Sequence, residues 1–317
     1  MIPLAGRSQC LKLTVVFPLA LLGSAMQHLC AQNLTGPDTT LAFDTAAIHQ
    51  NLADESTQGV DRPRSNFPIG SDDAFYETHG VFSATNLPLI SYIIFAYAIT
   101  NNNRQELINS VPSWVNTDRY NIEARTDRRR VTKDEMRMMM RTLLQERLSL
   151  RAHSESREVS VYAASLVVPG TFGPQLRERP KDAPCVSDGA FPGPVPSDLD
   201  AAGFPRVCGS FVNSIRTTVP HHRRLGGGNL PMSRIVGSFK GLGDLTRPVV
   251  DKTGLTGHYD YTLEYLPDPP PGREPDTDAV GPTFVGALKS ELGIKLASDK
   301  ATIDFILVDH IERPSAN

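Results

Sequence analysis

Asn86-Leu87-Pro88-Leu89 and Asn229-Leu230-Pro231-Met232 are near-copies of one tetrapeptide, about 143 positions apart. Further copies follow at nearly the same offset. Asp118-Arg119-Tyr120-Asn121-Ile122-Glu123 is echoed by Gly257-His258-Tyr259-Asp260-Tyr261-Thr262. Leu143-Leu144 with Leu148-Ser149-Leu150 is echoed by Ala287-Leu288 with Ile294-Lys295-Leu296. Each segment closes on an apolar strand, Val159 to Val168 and Ile303 to Ile311. A constant offset interrupted by insertions is the signature of a duplicated structural unit.

Working outward from the first tetrapeptide, Val81 to Thr85 reads as a strand and Asn86 as the N-cap of a helix, with Pro88 in its first turn, where a missing N–H is harmless. Leu89, Ile90, Ile93, Ile94, Tyr97 and Ala98 recur at helical spacing. Ala42 to Ile48 reads as an opening strand, Glu106 to Asn109 and Arg119 to Ala124 as further strands, and Val111 to Trp114 as a turn. Thr132 with Glu135 forms a capping box, and Met136, Met139, Met140, Leu143 and Leu144 make one stripe of the helix it starts. Leu148 to His153 and Glu158 to Val168 read as two closing strands. In the second segment the same order is predicted: a helix from Pro231 to Leu245, strands at Pro248–Val250 and Tyr259–Tyr265, a helix capped by Thr283 with Gly293 just past its end, and strands at Ile294–Ala297 and Thr302–His310. The expected fold is therefore α+β: two tandem, related β-α-β-β-α-β-β units, each with two helices packed on a small mixed sheet.

Arg7 and Lys12 precede an apolar run from Leu13 to Ala25, too short to span a bilayer and suited to the core of a signal peptide. Cleavage is expected at Ala31, giving a periplasmic or secreted chain whose membrane contact would come only through an uncleaved leader. The predicted layout is a signal peptide at 1–31, an N-terminal strand and loop at 32–74, a first unit at 75–176, a proline-rich linker at 177–208 and a second unit at 209–317. Cys185 and Cys208 flank that linker, and in an oxidising compartment they form an expected disulfide. Such a loop of about 24 residues would be stabilised by ~3 kcal/mol in the chain-entropy picture. The net charge of −3 leaves no footprint for nucleic acid.

Several motifs resemble known families. Asn-Leu-Pro-Leu before the first helix, Val249-Val250-Asp251 with Thr253-Gly254 before the middle strand, and Ala287-Leu288 through Leu296 resemble the short N-terminal domain of secretins and TonB-dependent transducers, which implies fold rather than activity. Phe43 to Ile48, Phe82 to Asn86, Trp114 to Ala124, Arg247 to Gly257 and Asp309 to Pro314 look like a paralogous family of exported proteins of soil Acidobacteria, of the Solibacter type, known as a domain of unknown function. Some members carry the domain behind a membrane metallopeptidase of the antibiotic-sensor type. The resemblance implies an envelope location and a sensing or interaction role.

Other matches lose their chemistry on inspection. Asp251-Lys252-Thr253-Gly254 matches the phosphorylated aspartate of P-type ATPases, but the nucleotide domain and membrane bundle are missing, and a hairpin turn is the plainer reading. Lys252-Thr253-Gly254 also matches a motif of penicillin-binding enzymes, yet no lysine is preceded by a serine three positions back. His221-His222 and His310, beside Asp309 and Glu312, offer acid–base or metal groups without a His-Glu-x-x-His pattern. Gly226-Gly227-Gly228 reads as a flexible turn. Trp114, the single tryptophan, is either a core plug or an anchor for a partner. The expected function is a non-enzymatic interaction or sensing module of the bacterial envelope with a protein partner and no cofactor or metal. The alternatives are a hydrolase using His221, His222, Asp251 or His310 in a groove between the units, or a carrier of a small ligand in that groove.

Overall fold

The buried positions alternate along the strand that leads into the Asn-Leu-Pro tetrapeptide, so one of its faces floors the first core. The computed structural model describes residues 41–52, 62–71, 77–128, 130–183, 199–217, 219–269, 272 and 280–314. In chain order the first half runs β1 (Thr45–Asn51), β2 (Arg64–Ser65), β3 (Val81–Pro88), α1 (Leu89–Ala96), α2 (Arg104–Ser110), α3 (Ser113–Thr117), β4 (Arg119–Arg125), α4 (Lys133–Leu148) and β5 (Arg151–Leu166). The second half continues with β6 (Leu176–Glu178), β7 (Ser210–Ile215), β8 (Arg223–Pro231), α5 (Met232–Leu242), β9 (Val249–Asp251), β10 (His258–Tyr265), α6 (Phe284–Ala287), a π-helical turn (Leu288–Leu292) and β11 (Ile294–His310). The described residues belong to one compact unit, Gln32–Asn317.

Two four-stranded antiparallel sheets carry the halves, in the orders β1-β4-β3-β2 and β6-β10-β8-β7. Both contain the same irregularity. Asn86 and Asn229 sit at φ +57° and +54°, and the register slips by one residue at each. These are β-bulges filled by a residue type that tolerates the left-handed region. Each bulge is pinned from the neighbouring strand: the Asn86 N–H donates to Asn121 Oδ1 at 2.8 Å, and the Asn229 N–H to Asp260 Oδ1 at 2.9 Å. Asn86 is thus a strand bulge and not the predicted N-cap; Pro88 and Pro231 occupy the cap positions of α1 and α5.

Helix α1 buries Leu89, Ile90, Tyr92, Ile93, Phe95 and Ala96, which leaves no polar face. It is clamped between the sheet and α4. Helix α4 begins at the predicted capping box, with Thr132 and Glu135 exchanging hydrogen bonds, and its methionine–leucine stripe lies in the core. Phe67, Phe82 and Phe95 meet at ring-centroid distances of 5.6 to 5.9 Å, within the range of favourable aromatic packing. In the second half α5 and α6 cover their sheet, with Phe239, Tyr265 and Phe284 in edge contact. The last turn of that helix widens to π geometry and stops at Gly293, φ +72°. Its terminal carbonyls are taken up by the lead-in to β6: the Gly173 N–H donates to Leu292 O and the Gln175 N–H to Glu291 O, at 2.9 and 2.8 Å.

A third sheet, β11-β5-β9, joins the halves. Here the predicted pairs of short strands fuse: β5 and β11 are single strands of 16 and 17 residues, paired antiparallel along their length. Leu150, just before β5, lies in the first core, and Ala164 and Leu166 at its far end lie in the second. Running the other way, β11 leaves the second core at Ile294 and enters the first at Val308. Strand β9 extends β5 in parallel at Tyr162–Ala164. The strand predicted at Glu106–Asn109 is instead helix α2, which lies against β11: Ser110 Oγ accepts from the Val308 N–H at 3.1 Å, and Asn103 Nδ2 donates to Asp304 O at 3.1 Å. The predicted turn at Trp114 is the short helix α3. The order βαββαββ is therefore formed in neither half, and the two core sheets are antiparallel rather than mixed.

Candidate functional site

The glycine run predicted as a flexible turn forms the centre of β8. Its residues pair with both β7 and β10, and a Cβ at Gly226 would collide with Tyr261 O, one at Gly228 with Val207 O. The run is a packing requirement and not a phosphate loop. Just before it, His222 is nearly buried, its side chain 8% exposed. Its Nδ1 lies 3.2 Å from Glu264 Oε1 and its Nε2 3.0 Å from Val280 O. Thr217 Oγ1 donates to the same Glu264 oxygen at 2.8 Å, and the Glu264 N–H donates to Glu291 Oε2 at 2.9 Å. Burial pushes the Glu291 carboxyl above the ordinary carboxylate range. Pro174, Gln175 and Arg224 complete a groove of about 280 Å³. With both ring nitrogens engaged, His222 ties the segment at Val280 to the sheet and has no nitrogen aimed at an incoming substrate.

The other candidates stand apart from this cluster. His221 is exposed in the preceding turn at φ +64°. His310 ends β11 on the side of the first core and has Nε2 3.0 Å from Glu312 Oε1. Hydrogen bonding to His310 and Ser149 holds Glu312 below the usual carboxylate range. Asp251 Oδ1 accepts from the Thr253 N–H at 2.9 Å and from Thr253 Oγ1 at 2.7 Å, which makes it the organiser of the hairpin turn whose Gly254 and Gly257 have positive φ. Trp114 packs partly buried against the first core, with the Arg313 guanidinium 4.7 Å from its ring centroid and ion-paired to Asp118. Cys208 precedes β7; its expected partner Cys185 lies outside the described residues, as does the leader. Among the described residues no group of three or more His, Cys, Asp or Glu side chains is arranged to hold a metal.

A groove does lie between the halves, with a volume of about 260 Å³, but none of the four hydrolase candidates lines it. Its walls come from α1 (Ile94) and the segment after it (Ile99), from α5 (Ser233, Gly237 and Leu242) and from β7 (Phe211 and Asn213). Arg104 and Arg234 are its charged residues; no carboxylate is among the described lining residues. At its back Lys240 Nζ donates to Asn102 O at 3.3 Å, and burial lowers the Lys240 ammonium below the usual lysine range.

Two polar nodes escaped the sequence reading. Asp260, 1% exposed, accepts from Arg177 at 2.9 Å and from Arg179 at 2.7 Å while its Oδ1 also holds the Asn229 bulge. Arg177 continues to Asp200 at 2.5 Å and covers the Phe204 ring at 4.2 Å. Burial alone would raise the Asp200 carboxyl, but hydrogen bonds from the Phe204 N–H and Arg177 outweigh it and hold it low. The one available signal was a carboxylate set between two tyrosines, Tyr259 and Tyr261, of an aromatic strand. The second node, Asn102, carried no signal because its partner is backbone of the other half.

Fold and groove define a mixed α+β protein with an inter-half cleft. The chain belongs to the DUF3738 family, proteins of unknown function, which it matches over residues 90–311, from the first turn of α1 to just past β11. Neither curated proteins nor solved structures gave a match.

Proposed function

We propose that the chain is an exported interaction module of the bacterial envelope, built from two related units and binding a protein partner in the groove between them. The duplication is supported by the equal sheet orders, the paired bulges at Asn86 and Asn229, and the β5–β11 ribbon. The offset that carries Leu148 to Ile294 carries Arg157 to Ile303, and those two residues face each other across the ribbon. The halves are therefore related as two subunits of an isologous dimer are. The resemblance to exported acidobacterial proteins and to the secretin and TonB short domain supports the envelope setting. Among the described residues no helix is long and apolar enough to cross a membrane.

The observation that carries the reading is the groove itself. Both halves line it, it offers hydroxyl, amide and guanidinium donors around an apolar floor, and among its described lining residues the titratable side chains are Arg104 and Arg234. The test is capture of envelope proteins from the source organism on tagged chain starting at Gln32, with Gly237→Trp as the control. A saturable protein partner lost on the Trp variant supports the reading. A small molecule that raises the melting temperature of the chain, with no protein captured, replaces it by the carrier reading.

A further inference from the structure

We infer that the chain pairs with a second copy of itself along the outer edge of β5, strand to strand and antiparallel, about a two-fold axis at Ser156. This surface is separate from the groove between the halves, whose described lining includes no residue of β5. The far end of β5 shows which of its backbone groups face outward. The Tyr162 N–H donates to Pro248 O and Ala164 O accepts from the Lys252 N–H, both at 2.8 Å, so the even-numbered residues there bond toward β9. The pairing of β5 with β11 runs without a bulge from Ala152 to Leu166, which carries that alternation down the strand. Ala152, Ser154, Ser156, Glu158 and Ser160 therefore hold their N–H and C=O groups away from β11. The same alternation holds on β11, where Asp304 O and the Val308 N–H face outward and are taken by Asn103 and Ser110, at the two ends of α2. The β11 edge is thus covered there. Among the described residues, no strand or side chain bonds the outward backbone of β5 from Ala152 to Ser160. That stretch is about 30 Å long at 3.4 Å per residue. It holds no proline, lysine or bulge, three of the features that deter edge pairing.

Two observations select a second copy as the occupant, and both give the same register. The open stretch runs from the start of β5 to the beginning of its pairing with β9, and its midpoint is Ser156. Antiparallel self-pairing about that residue uses the whole stretch and stops short of β9 in both copies. It also sets Glu155 opposite Arg157 of the second copy, Arg157 opposite Glu155 of the second copy, and Ser154 opposite Glu158 of the second copy. Opposite charges directly across a strand pair stabilise it, and like charges destabilise it. Moving the axis by one residue would set Glu155 against its own copy, or Arg157 against its own copy. Within the chain Arg157 already donates to Glu155 at 2.6 Å and to Glu106 at 3.3 Å. The Glu155 and Arg157 side chains are still 29% and 37% exposed, and a guanidinium has five N–H donors, so each can serve a further partner. The paired copies close a ring of alternating Glu and Arg on one face of a continuous β11-β5-β5-β11 sheet. Because the contact is isologous, it uses up the open edge of both copies.

The experiment is sedimentation velocity on the chain from Gln32 over a concentration series. The expected result is a monomer–dimer equilibrium. Ser156→Pro removes an outward N–H and none from the β5–β11 ladder, and should weaken the dimer at least about tenfold. Glu155→Arg and Arg157→Glu each create like-charge pairs in the dimer and should each weaken it at least about tenfold. An equimolar mixture of those two variants should regain the dimer, because every Arg then meets a Glu. Far-UV circular dichroism and melting on each variant separate a blocked edge from a lost fold, and recovery on mixing is a gain that misfolding does not produce. A wild-type chain that stays monomeric throughout the series overturns the inference. A dimer indifferent to the three substitutions in folded variants overturns it, as do folded charge variants that fail to recover on mixing. A dimer broken by Gly237→Trp and untouched by the edge variants would place the contact in the groove and overturn it as well.

Discussion

Asn102 grips the backbone of Val249 with both ends of its amide: Nδ2 donates to Val249 O at 2.8 Å, and Oδ1 accepts from the Val249 N–H at 2.9 Å. A side chain from the first half here stands in for the strand that would otherwise pair with β9. Asn102→Ala leaves a backbone N–H and C=O unpaired at the junction of the halves. The expected loss is about 1–3 kcal/mol in urea unfolding. Asn102→Asp keeps the acceptor but loses the donor, so it should also destabilise. Equal stability of both variants and wild type would show that water replaces the amide at no cost.

Asp260 is the most exposed to failure of the buried groups, because two arginines and a strand bulge depend on it. Removing one partner of a buried ion pair leaves the others desolvated and uncompensated, at about 3–5 kcal/mol. Asp260→Asn retains an acceptor for the Asn229 N–H and is expected to lose less than Asp260→Ala. Denaturant midpoints for the pair would check the order.

Two glycines should respond in opposite directions. Gly237 lies inside α5 with open space where a Cβ would stand, so Gly237→Ala is expected to stabilise by about 1 kcal/mol through helix propensity. Gly228 faces the Val207 carbonyl, and Gly228→Ala is expected to spread β8 from its neighbours and lower the melting temperature. A stabilising Gly228→Ala would contradict the close strand approach.

Two glutamates set opposite dependences on pH. Hydrogen bonds from the Thr132 N–H and hydroxyl hold Glu135 below its ordinary range in the folded chain. Its contribution is therefore present above the unfolded-state value and lost as pH falls through the folded one. Burial instead raises Glu291, so the folded chain favours its protonated form, and stability is lost as pH rises through that raised value. Glu135→Gln should destabilise near pH 7 and differ little from wild type in acid. Glu291→Gln, which keeps an acceptor for the Glu264 N–H, should gain on wild type as pH rises. Urea unfolding of the three proteins from about pH 3 to pH 8, spanning the carboxylate range, tests both signs. Thr132→Ala, which removes the cap itself, should cost about 1 kcal/mol throughout.

Much of the first core was legible because local signals and burial agreed there. The Thr132–Glu135 box and the methionine–leucine stripe fixed α4, and the apolar run after Pro88 fixed α1. Where local pattern and tertiary demand parted, the reading went wrong. Glu106–Asn109 has the look of a strand, yet only Leu107 of α2 is buried, and the segment folds as helix beside β11. The middle of each long strand is exposed and polar, so each was read as two; pairing with the other long strand holds it extended. Gly226 to Gly228 read as a turn because nothing in the sequence reports that the backbones of Val207 and Tyr261 press on them. Of the site candidates, His222, Asp251, His310 and Trp114 have defined partners, and those contacts tie neighbouring segments of the chain together. A groove between the halves was the expectation from internal sequence likeness, and the residues that line it needed the structure.

The long ribbon has a consequence for how the molecule is made. Synthesis finishes β5 well before it reaches β11, the ribbon partner of β5. Until β11 emerges, the growing polypeptide carries 16 residues of extended-prone sequence without the partner they require. Unpaired strands of that length invite association with other chains. The folding of both halves is thus tied to the synthesis of β11, and a chain truncated before Ile294 would leave the first half exposed as well as the second.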